Sequence, residues 1–359
     1  MDNNCSCFPS QSIIGLCTAR QRAPIEQCRN SLATSLPDSC DDEPVMHIND
    51  THAKTPRLPT GVAKWTGQEN DALAFTEEDM GELWEAVFAG RLIGSGNFGS
   101  VAVATFRNRS VAVKMQPMPQ PDEEWAQEIV DNLVCELSVL RSICHRSPYM
   151  VDFLGAGRVG NDIFSVMGLA SRGDLRQVIE KCEVGEGRMD WVSLARVLRD
   201  ASYGLAYLHK HELLHRDFKT PNVLVQEDGS GLLCDFGFTI WADSPAKLET
   251  CAGTEEFMAP ELCMGEDFHL PADVFSLGIT ICEVATRIRP GDNDFLYRSP
   301  RNMFAFEPEV PHVHAVITED FPLMLASIAE QCCQFEENKR LSASAAATSL
   351  HDLISEWSS

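Results

Sequence analysis

His215-Arg216-Asp217-Phe218-Lys219-Thr220-Pro221-Asn222 is followed, eighteen positions after Asp217, by Asp235-Phe236-Gly237. The first stretch is a short loop in which four residues separate a carboxylate from an amide, and the second is an acidic turn. Phosphoryl transfer needs one carboxylate to orient an attacking hydroxyl and further oxygen ligands to hold Mg²⁺ on the phosphates. The loop can supply both, and the turn completes the metal set. Taken singly, Asp-Phe-Gly reads as a common turn and His-Arg-Asp as structural. Their order and spacing carry the meaning.

Toward the N-terminus, residues 87–93 read as a strand, 101–104 as a second and 110–115 as a third. Between the first two lies Gly94-Ser95-Gly96-Asn97-Phe98-Gly99-Ser100-Val101. Glycines there let backbone amides approach phosphate oxygens with no side chain between. The same pattern is equally that of a bare hairpin turn. A strand on both sides disfavours a dinucleotide fold, where a helix follows the glycines. Lys114 sits near the end of the third strand, and prolines 117, 119 and 121 then break regular structure. From 124 to 143, Trp125, Ile129, Leu133, Leu137, Leu140 and Ile143 recur at threes and fours, an amphipathic helix. Residues 151–154 and 163–167 read as strands; after Gly173 come helical stretches at 175–182, 192–209, 272–286 and 321–335. The expected architecture is α+β: a small β-rich lobe over residues 86–167 and a larger α-helical lobe over 168–356. Residues 1–85 carry no sustained apolar period and read as a mostly disordered tail, with a short helix at 77–84 leading into the fold.

Composition narrows the function classes. The chain of 359 residues is 44% hydrophobic, enough for a sizeable core, and carries 29 Lys and Arg against 53 Asp and Glu. A formal net charge of −24 repels a phosphate backbone, so nucleic-acid binding is not expected; basic protein substrates suit such a field better. The fourteen cysteines fall mostly in apolar stretches or are scattered through the first forty residues, with neither disulfide nor zinc spacing. Neither a signal peptide nor an apolar run of membrane length is found, and Asp2 excludes myristoylation, although Cys5 and Cys7 could be acylated. The expectation is a cytoplasmic protein with access to the nucleus.

The joint set of glycine loop, strand lysine, His-Arg-Asp loop, Asp-Phe-Gly and Ala259-Pro260-Glu261 resembles the eukaryotic protein kinases over residues 87–355, about three-quarters of the chain. The resemblance implies a bilobal fold with ATP and Mg²⁺ in the cleft. Ile93 to Val101, Ala112, Met167, Leu169 and Leu224 would then meet the nucleotide. Asp174 would meet its ribose or simply cap the following helix. Lys114 would hold the α and β phosphates, paired with Glu136 or, one face and two turns earlier, Glu128. Asp217 would orient the substrate hydroxyl, Lys219 would neutralise the γ-phosphate, and Asn222 and Asp235 would hold Mg²⁺. Glu261 would pair with Arg340, and Asp273 would anchor the catalytic-loop backbone.

Lys219 and Thr254 resemble serine/threonine rather than tyrosine kinases; pseudokinase and dual-specificity readings are the alternatives. Residues 276–283 and Cys332-Cys333 resemble the tyrosine-kinase-like group. The stretch from Asp294 to Val310 is similar to the LIM-kinase and testis-specific-kinase subfamily, although LIM kinases lack Lys219. Arg216 before Asp217 resembles kinases switched on by phosphorylation, which makes an upstream kinase acting on Thr250, or on Ser244, an expected partner.

Overall fold

The computed structural model describes residues 75, 77–96, 99–119, 126–159, 161–183, 189–244, 252–307 and 320–357. The expected tail over residues 1–74, Asn97, Phe98, Trp125 and Thr250 lie outside them.

The chain enters as helix α1 (Glu77–Ala89), then builds a five-stranded antiparallel sheet from β1 (Arg91–Gly96), β2 (Gly99–Phe106), β3 (Arg109–Pro117), β4 (Phe153–Val159) and β5 (Asp162–Gly168), in the order β1-β2-β3-β5-β4. Two expectations are corrected here. Residues 87–89 are the last turn of α1 rather than the start of a strand, and α1 runs across the boundary expected at 85/86. Leu83 and Val87 share one helical face and are buried, so the local period is helical. Gly90 ends the helix where β2 passes close by: a Cβ there would strike the Val103 carbonyl. The fourth strand begins at Phe153, not 151, and runs through Gly155 and Gly157, which pair with Val166 and Phe164. Both glycines are strand residues because β5 supplies their ladder.

Helix α2 (Ala126–Ser142) lies between β3 and β4 in the chain. The second lobe is built on α3 (Leu175–Glu183), α4 (Trp191–Lys210), α5 (Pro260–Met264), α6 (Pro271–Thr286), α7 (Asp320–Cys332) and α8 (Ala343–Trp357). Short two-stranded ladders join β6 (Leu213–Leu214) to β9 (Ile240–Trp241) and β7 (Val223–Val225) to β8 (Gly231–Leu233). Asp190 starts α4 by accepting a hydrogen bond from the Ser193 amide at 2.7 Å. Every residue of α6 from Ala272 to Ala285 is buried, so it is the axle of this lobe.

The apolar interior has two parts. One covers the outer face of the sheet: Phe75, Leu83 and Val87 pack on Ala102, Ala104, Phe106, Val111, Val113 and Val166. Phe75 meets the Phe106 ring at 5.4 Å, and Asp79 pairs with Arg107 at 2.6 Å. The other runs through the helical lobe and includes Leu133, Leu137 and Leu140 of α2.

Candidate active site

Lys114 projects from β3 into the space between sheet and helical lobe. Its Nζ lies 2.6 Å from Glu136 Oε1 and 3.3 Å from Asp235 Oδ1. Helix α2 delivers Glu136 because Leu133, Leu137 and Leu140 bury the neighbouring positions of the same helix. Gln116, two residues after Lys114 and therefore on the same face of β3, donates to Glu136 Oε2 at 3.4 Å. The side chain of Glu128 lies outside the description. Burial works against charge on all three ionisable groups. The two carboxylates nevertheless hold the Lys114 ammonium above its ordinary pKa, while burial, only partly offset by Lys114, pushes Glu136 up. Asp235 is drawn below the ordinary carboxylate value: burial opposes its charge, and Lys114 and then His215 outweigh that.

Asp235 adopts φ 61°, a left-handed backbone that an Asp tolerates better than most side chains. The turn is fixed by Phe236, fully buried with its ring 5.6 Å from that of His215. The carboxylate of Asp235 is left 42% exposed in the cleft, where it can reach a ligand.

In the loop, Asp217 is the hub. Its Oδ1 accepts from Thr254 Oγ1 at 2.7 Å; its Oδ2 accepts from Asn222 Nδ2 at 3.0 Å and lies 2.8 Å from Lys219 Nζ. Lys219 also donates to Thr254 Oγ1 at 2.6 Å. Asn222 Nδ2 is committed to Asp217, including its backbone carbonyl at 2.8 Å, which leaves the side-chain oxygen as the donor atom for a hard cation. The Asn222 carbonyl accepts from the Cys234 amide at 3.0 Å, bringing it next to Asp235. Among the described residues no group of three or more His, Cys, Asp or Glu gathers as a metal centre. One carboxylate and one amide oxygen are nonetheless a sufficient protein set for Mg²⁺, which takes its other ligands from phosphates and water.

The loop backbone is held from below. Asp273, in the first turn of α6, accepts from the His215 and Arg216 amides at 2.8 Å each, and its Oδ2 lies 2.9 Å from His209 Nε2. Burial opposes its charge, but these partners hold its pKa below the ordinary value. Arg340 grips Glu261 with two bonds of 2.6 and 2.8 Å.

Of the residues expected to meet the nucleotide, those that the structure describes lie on β1, β2, β3, β5 and the segments that follow. Gly94, Ser95 and Gly96 pair with Val101, Ser100 and Gly99, and Gly99 takes φ 124° where a side chain would strike the Met115 carbonyl. Ile93 is 40% exposed. Ala112 pairs with Met167 across β3 and β5; Leu169 comes just after Gly168, the end of β5, and Leu224 bridges to Asp174. Asp174 accepts from the Gln177 amide at 2.9 Å and from Gln177 Nε2 at 2.5 Å, the geometry of a helix cap for α3. Burial raises its pKa.

Sequence reasoning missed one buried polar group under the loop. Glu283 of α6 accepts from Thr220 Oγ1 at 2.7 Å and from Arg176 Nη1 at 3.0 Å. A second carboxylate in a helix that is mostly apolar was the available signal. Sequence reasoning also missed the half-buried Cys135 of α2, whose thiol donates to the Thr239 carbonyl at 3.1 Å and joins α2 to the segment after Asp-Phe-Gly.

The protein kinase domain family matches residues 88–351. Similar curated proteins include the RasGEF domain-containing serine/threonine-protein kinase X of Dictyostelium discoideum, 31% identical over 68% of this chain and 24% of that protein. Serine/threonine-protein kinase dst3 of the same organism is 32% identical over 72% of this chain and 46% of its own length. Serine/threonine-protein kinase CTR1 of Arabidopsis thaliana is 29% identical over 72% and 31%. The chain thus spans less than half the length of these relatives. With the cleft lysine, the acidic turn and the loop carboxylate joined as described, the chain belongs to the protein kinase family.

Proposed function

We propose that the chain transfers the γ-phosphoryl group of ATP to serine and threonine hydroxyls of proteins. The observation that carries this reading is the placement of Asp217, with one oxygen on Thr254 and the other on Lys219 and Asn222, beside an intact Lys114–Glu136 pair. Lys114 would hold the α and β phosphates, its charge secured by Glu136. Asp217 would accept the hydrogen bond of the incoming hydroxyl and take its proton, while Lys219 would offset charge on the transferring group. Asn222 and Asp235 would hold Mg²⁺, which supplies charge neutralisation at the phosphates. Thr254, fixed between Asp217 and Lys219, favours serine and threonine over tyrosine, and Phe238 after Asp-Phe-Gly favours serine.

We place the chain in the tyrosine-kinase-like group, near the LIM-kinase and testis-specific-kinase subfamily, with actin-depolymerising factor as the first protein to try. An upstream kinase would act on Thr250; Ser244, the second candidate, is buried and a poorer target. Arg216 is the cation to meet that phosphate. A cytoplasmic location with nuclear access is the working assignment.

The test is ³²P transfer from ATP to a basic protein carrying serine, threonine and tyrosine, followed by phosphoamino-acid analysis. Wild type should label serine and threonine, and Asp217→Asn should lower the rate by about 10²–10⁴-fold. Equal signal from both would leave a phosphate-independent scaffold as the better reading, and phosphotyrosine would make the enzyme dual-specific.

A further inference from the structure

Arg298 lies in the connection after α6, outside every motif of the cleft. Among the described residues its guanidinium makes four hydrogen bonds, all to backbone carbonyls. Nη1 donates to Met258 at 2.6 Å and Phe304 at 3.2 Å; Nη2 donates to Glu256 at 2.9 Å and Glu255 at 3.3 Å. Its carbon centre lies 4.9 Å from the centroid of the buried Phe275 ring. Among the described residues its covered Nε has no hydrogen-bond partner and no carboxylate pairs with it. Burial lowers its pKa, although a guanidinium remains charged.

A cation devoted to carbonyls rather than to an acid is a costly way to close a loop. What it gathers explains the choice. Ser276 of α6 donates to the Phe257 carbonyl at 2.8 Å, so the four consecutive carbonyls from Glu255 to Met258 are all drawn onto the helical lobe by side chains. Three of the four belong to Arg298. With the carbonyls turned inward, the Glu255 and Glu256 side chains are exposed on the outer side. The residue immediately before this strip is Thr254, whose hydroxyl touches both Asp217 and Lys219.

The fourth bond ties in a second segment. Leu296, Met303 and Phe304 have φ values of 54°, 53° and 55°, a left-handed backbone that bulky residues adopt only when surroundings impose it. Arg298 holds this strained loop and the 255–258 strip in one register through a single planar fork.

We propose that Arg298 is a positioning residue for the protein substrate: it fixes the 255–258 strip, and through it the place of Thr254 beside Asp217, without contact with the nucleotide site. The inference rests on the phosphotransferase reading above and adds a determinant of how the phosphoacceptor segment is seated. A lysine could keep the charge but not the fork, since an ammonium is a point donor and cannot span carbonyls on two segments.

The test compares wild type, Arg298→Lys and Arg298→Met in ³²P transfer to a basic protein, with KM and kcat measured separately against protein and against ATP, and with thermal unfolding. KM for the protein is expected to rise, or kcat to fall, by about tenfold or more, while KM for ATP stays within about twofold. Arg298→Lys should lie between wild type and Arg298→Met. If Arg298→Met does not fold, Arg298→Lys decides. Unchanged protein kinetics in a folded variant would overturn the assignment, as would equal rises in both KM values or loss only in proportion to the unfolded fraction. No transfer by wild type would instead remove the phosphotransferase reading, and this inference with it.

Discussion

Asp273→Ala is the substitution whose cost follows most directly from geometry. The carboxylate is buried and accepts from two backbone amides, His215 and Arg216, at 2.8 Å each, with His209 at 2.9 Å. The variant takes this acceptor away from both amides in a buried site. An orphaned buried donor costs about 1–3 kcal/mol, so the two together cost about 2–6 kcal/mol. That is a large part of the 5–15 kcal/mol or so that holds a typical domain together. Asp273→Asn keeps one oxygen and should lose about half as much. The assay is urea unfolding followed by fluorescence, with the midpoint compared at constant slope. A pH series adds an independent check. The folded pKa of Asp273 is depressed, so its contribution is present above the unfolded value of about 3.9 and is lost as pH falls through the lower folded value. Wild type should therefore lose stability below about pH 4 in part through this group, and Asp273→Asn should lack that part. An Asp273→Ala midpoint indistinguishable from wild type would refute the reasoning, because the two amide bonds would then contribute nothing to holding the loop.

Thr254→Ala removes one bond to a carboxylate and one from an ammonium. A bond to a charged group is worth about 1.5–3 kcal/mol, so kcat should fall by about 10–150-fold with little change in KM for ATP. Thr254→Ser should recover most of it, and full activity in the alanine variant would separate Thr254 from turnover. Gly278→Ala puts a methyl group into the Cys333 thiol, 2.9 Å from Cys332 Cβ and 3.0 Å from the Ala329 carbonyl. Overpacking of this kind costs about 1–3 kcal/mol, which differential scanning calorimetry would register as a lower transition temperature; an unchanged transition would mean that α6 and α7 can part freely.

The helical lobe was legible because its helices carry apolar faces long enough to set a period. Helices α4 and α6 differ from their expected spans by a residue or two. Helix α8 went unread. Its opening run, Ala343-Ser344-Ala345-Ala346-Ala347, has too little hydrophobic contrast to mark a face, and only contact with the lobe buries Ala346, Ala347 and Leu350. At the other end, residues 87–93 read as a strand because a short apolar run has no period of its own, whereas burial of Val87 beside Leu83 puts residues 87–89 in α1. In the site, the loop and the acidic turn were readable because their residues are close in sequence. Lys114 and Glu136 could be paired beforehand only through the family resemblance. Arg298 could not be read at all, since its partners on the strip are carbonyls about forty residues away and carbonyls leave no trace in a sequence.

The two-part interior has a consequence for the Lys114–Glu136 bond. Lys114 sits on a strand whose Val111 and Val113 belong to the layer under α1, whereas Glu136 sits on a helix whose Leu133, Leu137 and Leu140 belong to the interior of the helical lobe. The ion pair, with the Gln116–Glu136 bond beside it, thus links the layer under α1 to an interior that α2 shares with Ala156 of β4 and Ile163 of β5. Separate packing units open with separate free energies. Opening the pair should therefore free the Lys114 end of β3 while Ala156 and Ile163 keep α2 packed on the sheet, so that amide exchange would quicken in β3 before it did in α2.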